Sequence, residues 1–597
     1  MEEIKISDYV MSFLENKGIK HIFLLSGGGC IHLVDAVGSS NLKYICNLHE
    51  QGAAIAAEAY AQYTNQPSAL LVTTGPGGTN TLTGVASAWL DSVPMFVLSG
   101  QVSRKDMKGT KGVRQIGFQE LDLVEIVEPI TKYAVTVMEP SNIRYELEKA
   151  YHIANTGRRG PVWVDIPLDV QSSYVAPEGL RTYVPEPVDL RHAELQAKVG
   201  QIFEMLNSAQ RPIMLVGNGV RAANAIDKFV ELAQILQIPV LTTWKAMDFM
   251  GEDDPLFVGR PGIAGQRGAN FSQQNSDLFI SIGARLDLGQ TAFNHQNFAR
   301  EAKKIVVDID PAEINKMEFE IDVPLTFDAA DVIDEMIKQS ASLTATYSDW
   351  LEWCKVRQSK YPVVLPEYWE EEKVNNYVLI EVLSKLLKAG DLFVLGSSGA
   401  CSEVTCQALK VPKGIRIFNS QSLGSMGFGI PASIGGCVAN ESRHTVCIDG
   451  DGGFVLNVQE LETMRRLNLP IKYFILNNSG YTSIRNTQNK HFEQQVASGE
   501  SSGVTLPNLE KIVKSYDLAY AKISSHKNIE EEVQKVLAAP GPIICEVEML
   551  STHVTKPRTS TYRKENGEFA SAPMEDLWPF LSREEFRENM IIEPINE

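Results

Sequence analysis

The chain has 597 residues, of which 44% are hydrophobic and 22% are charged, and its formal net charge is −19. This length exceeds what one hydrophobic core supports, so we expect three or four domains. The strong negative charge disfavours nucleic acid and anionic membranes as partners, because both require a basic surface.

The sequence also disfavours a membrane protein and a disulfide-rich protein. No stretch reaches the roughly 20 apolar residues that cross a bilayer, and the acidic N-terminus, MEEIKISDYV, lacks the features of a secretion signal. The eight cysteines include no CxxC pair, which favours reduced thiols over a disulfide scaffold or a zinc site. We therefore expect a cytoplasmic protein.

Short apolar runs alternate with helical patterns along nearly the whole chain. This alternation is typical of parallel sheets covered by helices, and it recurs in three blocks of similar pattern. The sequence predicts an α/β protein of three doubly wound parallel-sheet domains, at residues 1–175, 190–340 and 370–553, followed by a polar tail at 554–597. A Pro-rich, charged linker, APEGLRTYVPEPVDLR, separates the first two.

The third block contains the most informative segment. Strand-like TVCI is followed by Gly450-Asp451-Gly452-Gly453, a helical pattern, and a second strand, IKYFIL, that ends in Asn477-Asn478. Parallel strands present their carboxyl ends at one sheet edge, so Asp451 and Asn478 are expected to converge there. Their oxygens suit Mg²⁺, and the glycines allow a diphosphate to approach the backbone. Each motif alone is more often an ordinary turn.

Together, the two motifs resemble the GDG…NN signature of thiamine diphosphate enzymes. The resemblance implies that Gly480 adds a backbone carbonyl to the metal. It also implies that the segment SSGAC and the residues around the metal loop bind the cofactor, namely Ser398, Gly399, Ala400, Gly450, Gly452, Gly453, Ser479 and Tyr481. The third block would then be the diphosphate-binding domain.

Glu50 lies in NLHEQGAAIAAEAYA, after a strand and at the start of an Ala-rich helix. An acid in the first turn of a helix is stabilised by the helix dipole without any chemistry. The segment resembles the pyrimidine-domain motif of the same family, however. By that resemblance Glu50 bonds the pyrimidine ring of the cofactor and activates it, since a buried carboxyl favours sharing a proton.

Two further residues come from SLGSMGFGIPASIG in the third block. The resemblance implies that the carbonyl of Gly424 accepts from the pyrimidine amino group. It also implies that Met426 holds the cofactor bent, although an ordinary core methionine has the same periodicity.

The resemblance covers residues 4 to 550 and is closest to the acetohydroxyacid (acetolactate) synthase group, through TTGPGGTNTLTGVASAWLDSVPMFVLSGQV and GFQELDLVEIVEPITKY. It assigns catalytic positions to Gly28, Phe118, Gln119 and Lys132. Arg285, in GARLD, corresponds to the arginine that meets the carboxylate of the acceptor.

The sequence departs from this group at two places. Thr487 replaces the usual tryptophan after the metal loop, where NNSGY is closer to pyruvate decarboxylase, and Arg260-Pro261 replaces a methionine-histidine pair. We expect both changes in the acceptor pocket, where they favour a bulkier carbonyl such as a keto sugar.

The middle block contains Gly217-Asn218-Gly219-Val220-Arg221-Ala222 after a strand, which approximates a dinucleotide loop. Asp308 and Asp310, after the strand KIVV, are candidates to bind ribose or adenine, and Gly283 precedes Ala284-Arg285. The resemblance implies FAD without a redox role. A vacant domain is the alternative.

The resemblance implies a carboligase that decarboxylates a 2-oxo acid, with pyruvate as the expected donor, and transfers the acyl-anion equivalent to a carbonyl acceptor. A 2-oxo acid decarboxylase and a pyruvate oxidase-like enzyme are the alternatives. The cofactors would be thiamine diphosphate, Mg²⁺ and FAD. Because Glu50 and Asp451 lie on different domains, the resemblance implies a homodimer or homotetramer.

Overall fold

The computed structural model describes residues 3–187, 191–492, 494–563 and 569–595. The predicted boundaries at residues 1, 190 and 597 and part of the tail lie outside them. Each predicted block contains one six-stranded sheet in which all neighbouring strands are parallel, with helices around it. The predicted fold class is confirmed.

The strands follow the apolar runs of the sequence, and most of their residues are buried. In hydrogen-bonded order, the first sheet contains Lys43–Cys46, His21–Leu24, Ser68–Val72, Met95–Gln101, Val162–Pro167 and Tyr133–Thr136. The middle sheet contains Phe257–Gly259, Val240–Thr242, Pro212–Val216, Leu278–Ile282, Lys303–Val307 and Val323–Leu325. The third sheet contains Arg416–Phe418, Leu392–Leu395, Thr445–Gly450, Ile471–Asn477, Ile543–Glu548 and Ala519–Ile523.

Helices connect these parallel strands, as crossover connections require. The first domain contains Ile6–Asn16, Ile31–Ser39, Glu50–Thr64, Pro76–Thr79, Leu82–Leu90, Leu123–Val127, Ile143–Asn155 and Leu168–Gln171. The middle domain contains His192–Ser208, Gly219–Ala222, Ile226–Leu236, Arg267–Gln274, Pro311–Asn315, Ala329–Gln339 and Ser348–Lys360. The third contains Asn376–Leu386, Ser402–Ala408, Gly429–Ala439, Asp451–Phe454, Glu460–Arg466, Thr482–His491, Leu509–Ser515 and Ile529–Ala538.

The first and third domains share one apolar core around helix Glu50–Thr64. This helix is rich in alanine and packs against helix Gly429–Ala439 so closely that a Cβ on Gly435 would lie 1.9 Å from the carbonyl oxygen of Ala56. Small residues on both helices permit this approach. The middle domain has a separate core, which includes Trp350 and Cys354, so it continues beyond the predicted boundary at residue 340.

The predicted tail returns to the middle domain. The amide of Thr559 donates to the carbonyl of Ile263, and Arg267 donates to the carbonyls of Leu577 and Pro579. The tail contains strands Thr561–Arg563 and Phe569–Ser571 and helix Arg583–Glu588, so it is more regular than the sequence suggests. Over the described residues, no helix combines the length and apolar character needed to cross a membrane.

Candidate active site

The predicted metal motifs meet at the carboxyl edge of the third sheet. Strands Thr445–Gly450 and Ile471–Asn477 pair in parallel along their length, which brings their two following loops together. Asp451 Oδ2 accepts a hydrogen bond from the amide of Gly480 at 3.0 Å, and Oδ1 accepts from the amide of Gly452 at 2.8 Å. The loops after the two strands are thus joined directly through one carboxylate.

Asp451 and Asn478 are both buried, and Asn478 Oδ1 has no hydrogen-bond partner. A buried, unpaired amide oxygen is costly unless a ligand satisfies it. Burial also raises the pKa of Asp451, a cost that a bound cation would remove. Within the described parts of the chain, no three His, Cys, Asp or Glu side chains cluster as a metal site. The site therefore fits Mg²⁺ that also takes oxygens from a bound phosphate.

The loop that carries Asp451 has no room for a side chain at Gly452 or Gly453. A Cβ on Gly452 would lie 2.4 Å from Cε1 of Tyr481 and 3.4 Å from Cε of Met426. A Cβ on Gly453 would lie 2.6 Å from Asp449 Oδ1, and one on Gly450 would lie 3.5 Å from Ser398 Oγ. The structure thus brings Tyr481, Met426 and Ser398 to the Asp451 loop, next to Gly399 and Ala400.

Gly424 and Gly480 are left-handed residues that shape the loops at this edge. Gly424 has φ +65° and donates its amide to the carbonyl of Ser420, and Gly480 has φ +116°. A Cβ on Gly480 would lie 2.9 Å from the carbonyl oxygen of Ser498, so a side chain is excluded there. Met426 is 38% exposed beside this surface.

Arg485 supports the metal loop, and the sequence did not single it out. Its guanidinium donates to the carbonyls of Ser479 and Asn478, each at 2.7 Å, from one turn into helix Thr482–His491. These bonds fix the backbone that carries the Asn478 side chain. An arginine shortly after a strand-ending NN motif is the only sequence signal, and it does not reveal the partners.

Glu50 lies at the carboxyl edge of the first sheet, after strand Lys43–Cys46. It is the first residue of its helix and only 9% exposed, while the ring of His49 caps the helix by accepting from the amide of Gln51. Asn80 Nδ2 donates to Glu50 Oε2 at 3.0 Å. Asn80 lies in the segment GPGGTNT, but the sequence did not indicate its hydrogen bond to Glu50.

Gly28 and Gln119 both adjoin the segment after strand Ser68–Val72. The amide of Gly29 donates to Thr73 Oγ1 at 3.0 Å, and a Cβ on Gly75 would lie 2.6 Å from the carbonyl oxygen of Gln119. Phe118 is 86% exposed. These residues therefore gather at the same edge of the first sheet as Glu50 and Asn80.

The side chain of Lys132 is held at the end of a helix. Its ammonium donates to the carbonyls of Ile153 and Thr156, at the end of helix Ile143–Asn155, and burial lowers its pKa to about 8. Cations are favoured at the carboxyl end of a helix. Lys132 therefore stabilises this helix end, and the predicted catalytic role has no support in its contacts.

A cavity of about 600 Å³, called the middle cavity below, lies between the middle domain and parts of the first and third domains, including Arg158 and Ser422. Gly219, Gly283, Arg285 and Asp308, the candidates for a nucleotide site, line it, and burial raises the pKa of Asp308 to about 6. Gly217 instead allows two strand ends to meet, since its Cβ would lie 2.3 Å from Ala284 Cα.

Asp310 and Arg260 are engaged elsewhere. Asp310 pairs with Arg158 at 3.0 Å and caps helix Pro311–Asn315, so it is not free to bind ribose as predicted. Arg260 is 1% exposed and donates to the carbonyls of Cys406 and Leu409, which joins the middle domain to the third. Its expected place in an acceptor pocket is therefore wrong.

Arg285 lies where the three domains meet. Its Nη1 donates to the carbonyl of Leu90 in the first domain and to Ser422 Oγ in the third, and Nη2 pairs with Asp287. Ser422 precedes the Gly424 loop by two residues and also lines the middle cavity. Arg285 is therefore at the border between that cavity and the loop predicted to bind the pyrimidine.

Comparison with known proteins matches three consecutive domain families to this chain. They are described as the N-terminal TPP binding domain, the central domain and the C-terminal TPP binding domain of thiamine pyrophosphate enzymes, at residues 4–126, 199–336 and 397–547. Acetolactate synthase 3 of Brassica napus is 31% identical over 566 residues, covering 92% of this chain and 84% of that protein. The chain belongs to the acetolactate synthase-like family of thiamine pyrophosphate enzymes.

Relatives from other lineages match over similar lengths. The acetolactate synthase large subunit of Cyanidium caldarium is 32% identical over 556 residues, covering 90% of this chain and 91% of the relative. The acetolactate synthase isozyme 1 large subunit of Escherichia coli K12 is 30% identical, covering 91% and 93%. The predicted family is confirmed, and this chain is a thiamine diphosphate-dependent enzyme.

Proposed function

We propose that this enzyme is a Mg²⁺-dependent carboligase that uses pyruvate or a similar 2-oxo acid as donor and joins it to a carbonyl acceptor. The buried, unpartnered oxygen of Asn478 carries the proposal, because it lies on the loop that is bonded to the Asp451 carboxylate and an amide oxygen is a suitable ligand for Mg²⁺. The names of the relatives support the reaction class.

Thiamine diphosphate, when bound, supplies an acyl-anion equivalent after decarboxylation of the 2-oxo acid. Asp451, Asn478 and the carbonyl of Gly480 would hold the metal, and Ser398, Gly399 and Ala400 would line the diphosphate. The loop containing Gly424 and Met426 would receive the pyrimidine end. Because Gly452 and Gly453 carry no side chains, the diphosphate would approach the backbone of this loop directly.

Glu50 would share a proton with the ring nitrogen of the pyrimidine. Glu50 is only 9% exposed, and the bond from Asn80 fixes one of its two oxygens, which leaves the other for the ring nitrogen. Gly28, Phe118 and Gln119 lie around the same edge and would face the substrate. Arg285 would orient the carboxylate of an oxo acid acceptor through its planar fork of donors.

We infer that the two half-sites are completed between copies of the chain, in a homodimer or homotetramer. Apolar side chains near both half-sites are left exposed, which is typical of a surface that another subunit covers: Leu48, Phe118, Leu423, Met426 and Leu456. The middle cavity would hold FAD in a non-redox role, with the ligand bordered by Gly219, Gly283 and Asp308. All eight cysteines are free, which supports a cytoplasmic location.

A bulkier acceptor, such as a keto sugar, is the second candidate. In helix Thr482–His491, which leaves the metal loop, the exposed positions Ser483 and Thr487 carry small side chains. A small residue at Thr487, where related enzymes carry a tryptophan, leaves more room for the acceptor.

Product analysis tests the proposal. Purified protein with thiamine diphosphate, Mg²⁺ and pyruvate is expected to form acetolactate, detected by mass spectrometry, and a Glu50→Gln variant should form none. Addition of a ketose tests the second candidate, through a mixed ligation product. Release of acetaldehyde alone would indicate a decarboxylase, and acetate with bleaching of a bound flavin would indicate an oxidase. Either result would overturn the carboligase proposal.

A further inference from the structure

Glu460 is a fully buried carboxylate at the boundary between the first and third domains. It is the first residue of helix Glu460–Arg466, which follows the metal-binding loop. Its Oε1 accepts from the backbone amides of Leu48 and His49, at 2.9 and 3.1 Å. Its Oε2 accepts from Asn47 Nδ2 at 2.9 Å and from Thr463 Oγ1 at 2.8 Å. Three of its four donors therefore belong to one turn of the first domain.

That turn leads directly into Glu50. Strand Lys43–Cys46 ends just before it, and the helix of Glu50 begins just after it. Gly52 has no side chain, and this leaves space for the Glu460 carboxylate. A Cβ on Gly52 would lie 2.5 Å from Glu460 Oε1. The start of the Glu50 helix is thus built around a side chain from another domain.

We propose that Glu460 is a positioning residue for Glu50. By holding two successive backbone amides of the turn, it fixes the direction in which the Glu50 side chain leaves the helix. This inference rests on the proposed role of Glu50 in activating the cofactor. Without the carboxylate, two buried amides lose their partners and the turn is free to shift. A misplacement of about 1 Å at a reacting group costs about 100-fold in rate.

A purely stabilising role would not require these contacts. A buried carboxyl group contributes little net stability compared with well-packed apolar residues of similar volume. Here its oxygens point at the amides immediately before Glu50, while the surrounding core of alanine and other apolar side chains already joins the two domains. The contacts of Glu460 therefore favour geometric control of one turn.

The test compares Glu460→Ala with the wild-type holoenzyme. The exchange of the cofactor's C2 proton for deuterium, followed by acid quench and NMR, is expected to slow by about 100-fold. Affinity for thiamine diphosphate should remain close to that of the wild type, because the metal and diphosphate ligands are intact. In the apoprotein, amide hydrogen exchange in the segment 47–50 should become faster, which reports on the turn without the cofactor.

Two variants separate geometry from charge and from folding. Glu460→Gln should exchange the C2 proton at a rate close to that of the wild type, since its amide oxygen can accept from the amides of Leu48 and His49. Asn47 can turn its unpartnered Oδ1 towards the new NH₂ group. Gly52→Ala, whose methyl group displaces the carboxylate, should reproduce the loss if Glu460→Ala does not fold. Glu462→Ala is the control, because this carboxylate of the same helix pairs with Arg465 at the surface.

Wild-type C2 exchange in Glu460→Ala, or an unchanged amide exchange at 47–50, would overturn the inference. Equal losses in Glu460→Gln and Glu460→Ala would also overturn it, because the charge rather than the hydrogen-bond geometry would then matter. A different result would show that the proposed role of Glu50 itself is wrong. In that case Glu50→Gln would exchange the C2 proton as fast as the wild type.

Discussion

The first and third domains share a strand order that the middle domain lacks. Numbered along each domain, the first and third sheets both run 2-1-3-4-6-5, whereas the middle sheet runs 3-2-1-4-5-6, the order of dinucleotide-binding folds. The first and third sheets also share one apolar core, while the middle domain has its own. Although the three blocks have similar sequence patterns, the first and third domains therefore form a pair, and the middle domain is a separate unit.

The difference extends to what lies at the sheet edges. The paired domains place buried polar groups there, Glu50 on one and Asp451 with Asn478 on the other. The middle domain instead places glycines and a cavity at its edge, and it is joined to the third domain by polar contacts such as those of Arg260. The proposed function accordingly places catalysis on the pair and a nucleotide in the middle domain.

Gly219→Ala is expected to weaken nucleotide binding in the middle domain without affecting the paired domains. A methyl group there would lie 2.7 Å from Gly283 Cα, so the two glycine loops that border the cavity would have to separate. Overpacking of this kind costs about 1–3 kcal/mol, so FAD affinity, measured by fluorescence titration, should fall about 10- to 100-fold. Thiamine diphosphate affinity should be unchanged.

The control is Gly200→Ala, in helix His192–Ser208, where the only neighbour of an added Cβ is a side-chain oxygen at 3.6 Å. FAD affinity should not change in this variant. Wild-type FAD affinity in Gly219→Ala, or no FAD binding by the wild type, would contradict the assignment of the cavity.

Glu58→Gln tests the paired domains through pH. Burial raises the pKa of Glu58 to about 8, with Asp91 adding to the rise and Lys245 opposing it. The folded protein keeps a proton that the unfolded chain, with a pKa of about 4.3, releases, so this residue's contribution to stability falls as pH rises from about 4.3 to 8.

The glutamine variant should melt at nearly the wild-type temperature at pH 5 and a few degrees (~2–4 °C) above it at pH 8. Its new side chain retains an oxygen that can accept from Gln62 and Ser87, as Glu58 Oε1 does in the wild type. Thermal melts at both pH values measure the difference, with Glu462→Gln as the control, because that side chain pairs with Arg465 at the surface. A constant difference across this range would show that Glu58 titrates normally.

The sequence predicts the sheets and the metal motif because both are local. Apolar runs fix the strands, and GDGG and NN each follow directly from one of them, so the convergence of Asp451 and Asn478 follows from strand parallelism alone. Gly219 and Gly283 are located for the same reason, since each follows the end of a strand of the middle sheet.

The remaining errors and omissions concern partners that are distant in sequence. Asn80 and Glu460 act on or near Glu50 from other segments, and no local pattern indicates those bonds. Lys132 and Arg260 have side chains suited to catalysis, but carbonyl groups from other segments hold both. Residue type predicts what a group can bind, whereas the fold decides which partner it receives.

Calorimetric titration of thiamine diphosphate, with Mg²⁺ or with a chelator, tests the central claim most directly. The wild-type protein is expected to bind the cofactor only with Mg²⁺. Asp451→Asn removes one charge at nearly constant shape and should weaken binding by more than about 100-fold. Loss of a group that only hydrogen-bonds to a metal ligand costs up to about 100-fold, so loss of a ligand should cost more. Equal affinity with and without Mg²⁺, or unchanged affinity in Asp451→Asn, would contradict a metal-held diphosphate at the third sheet.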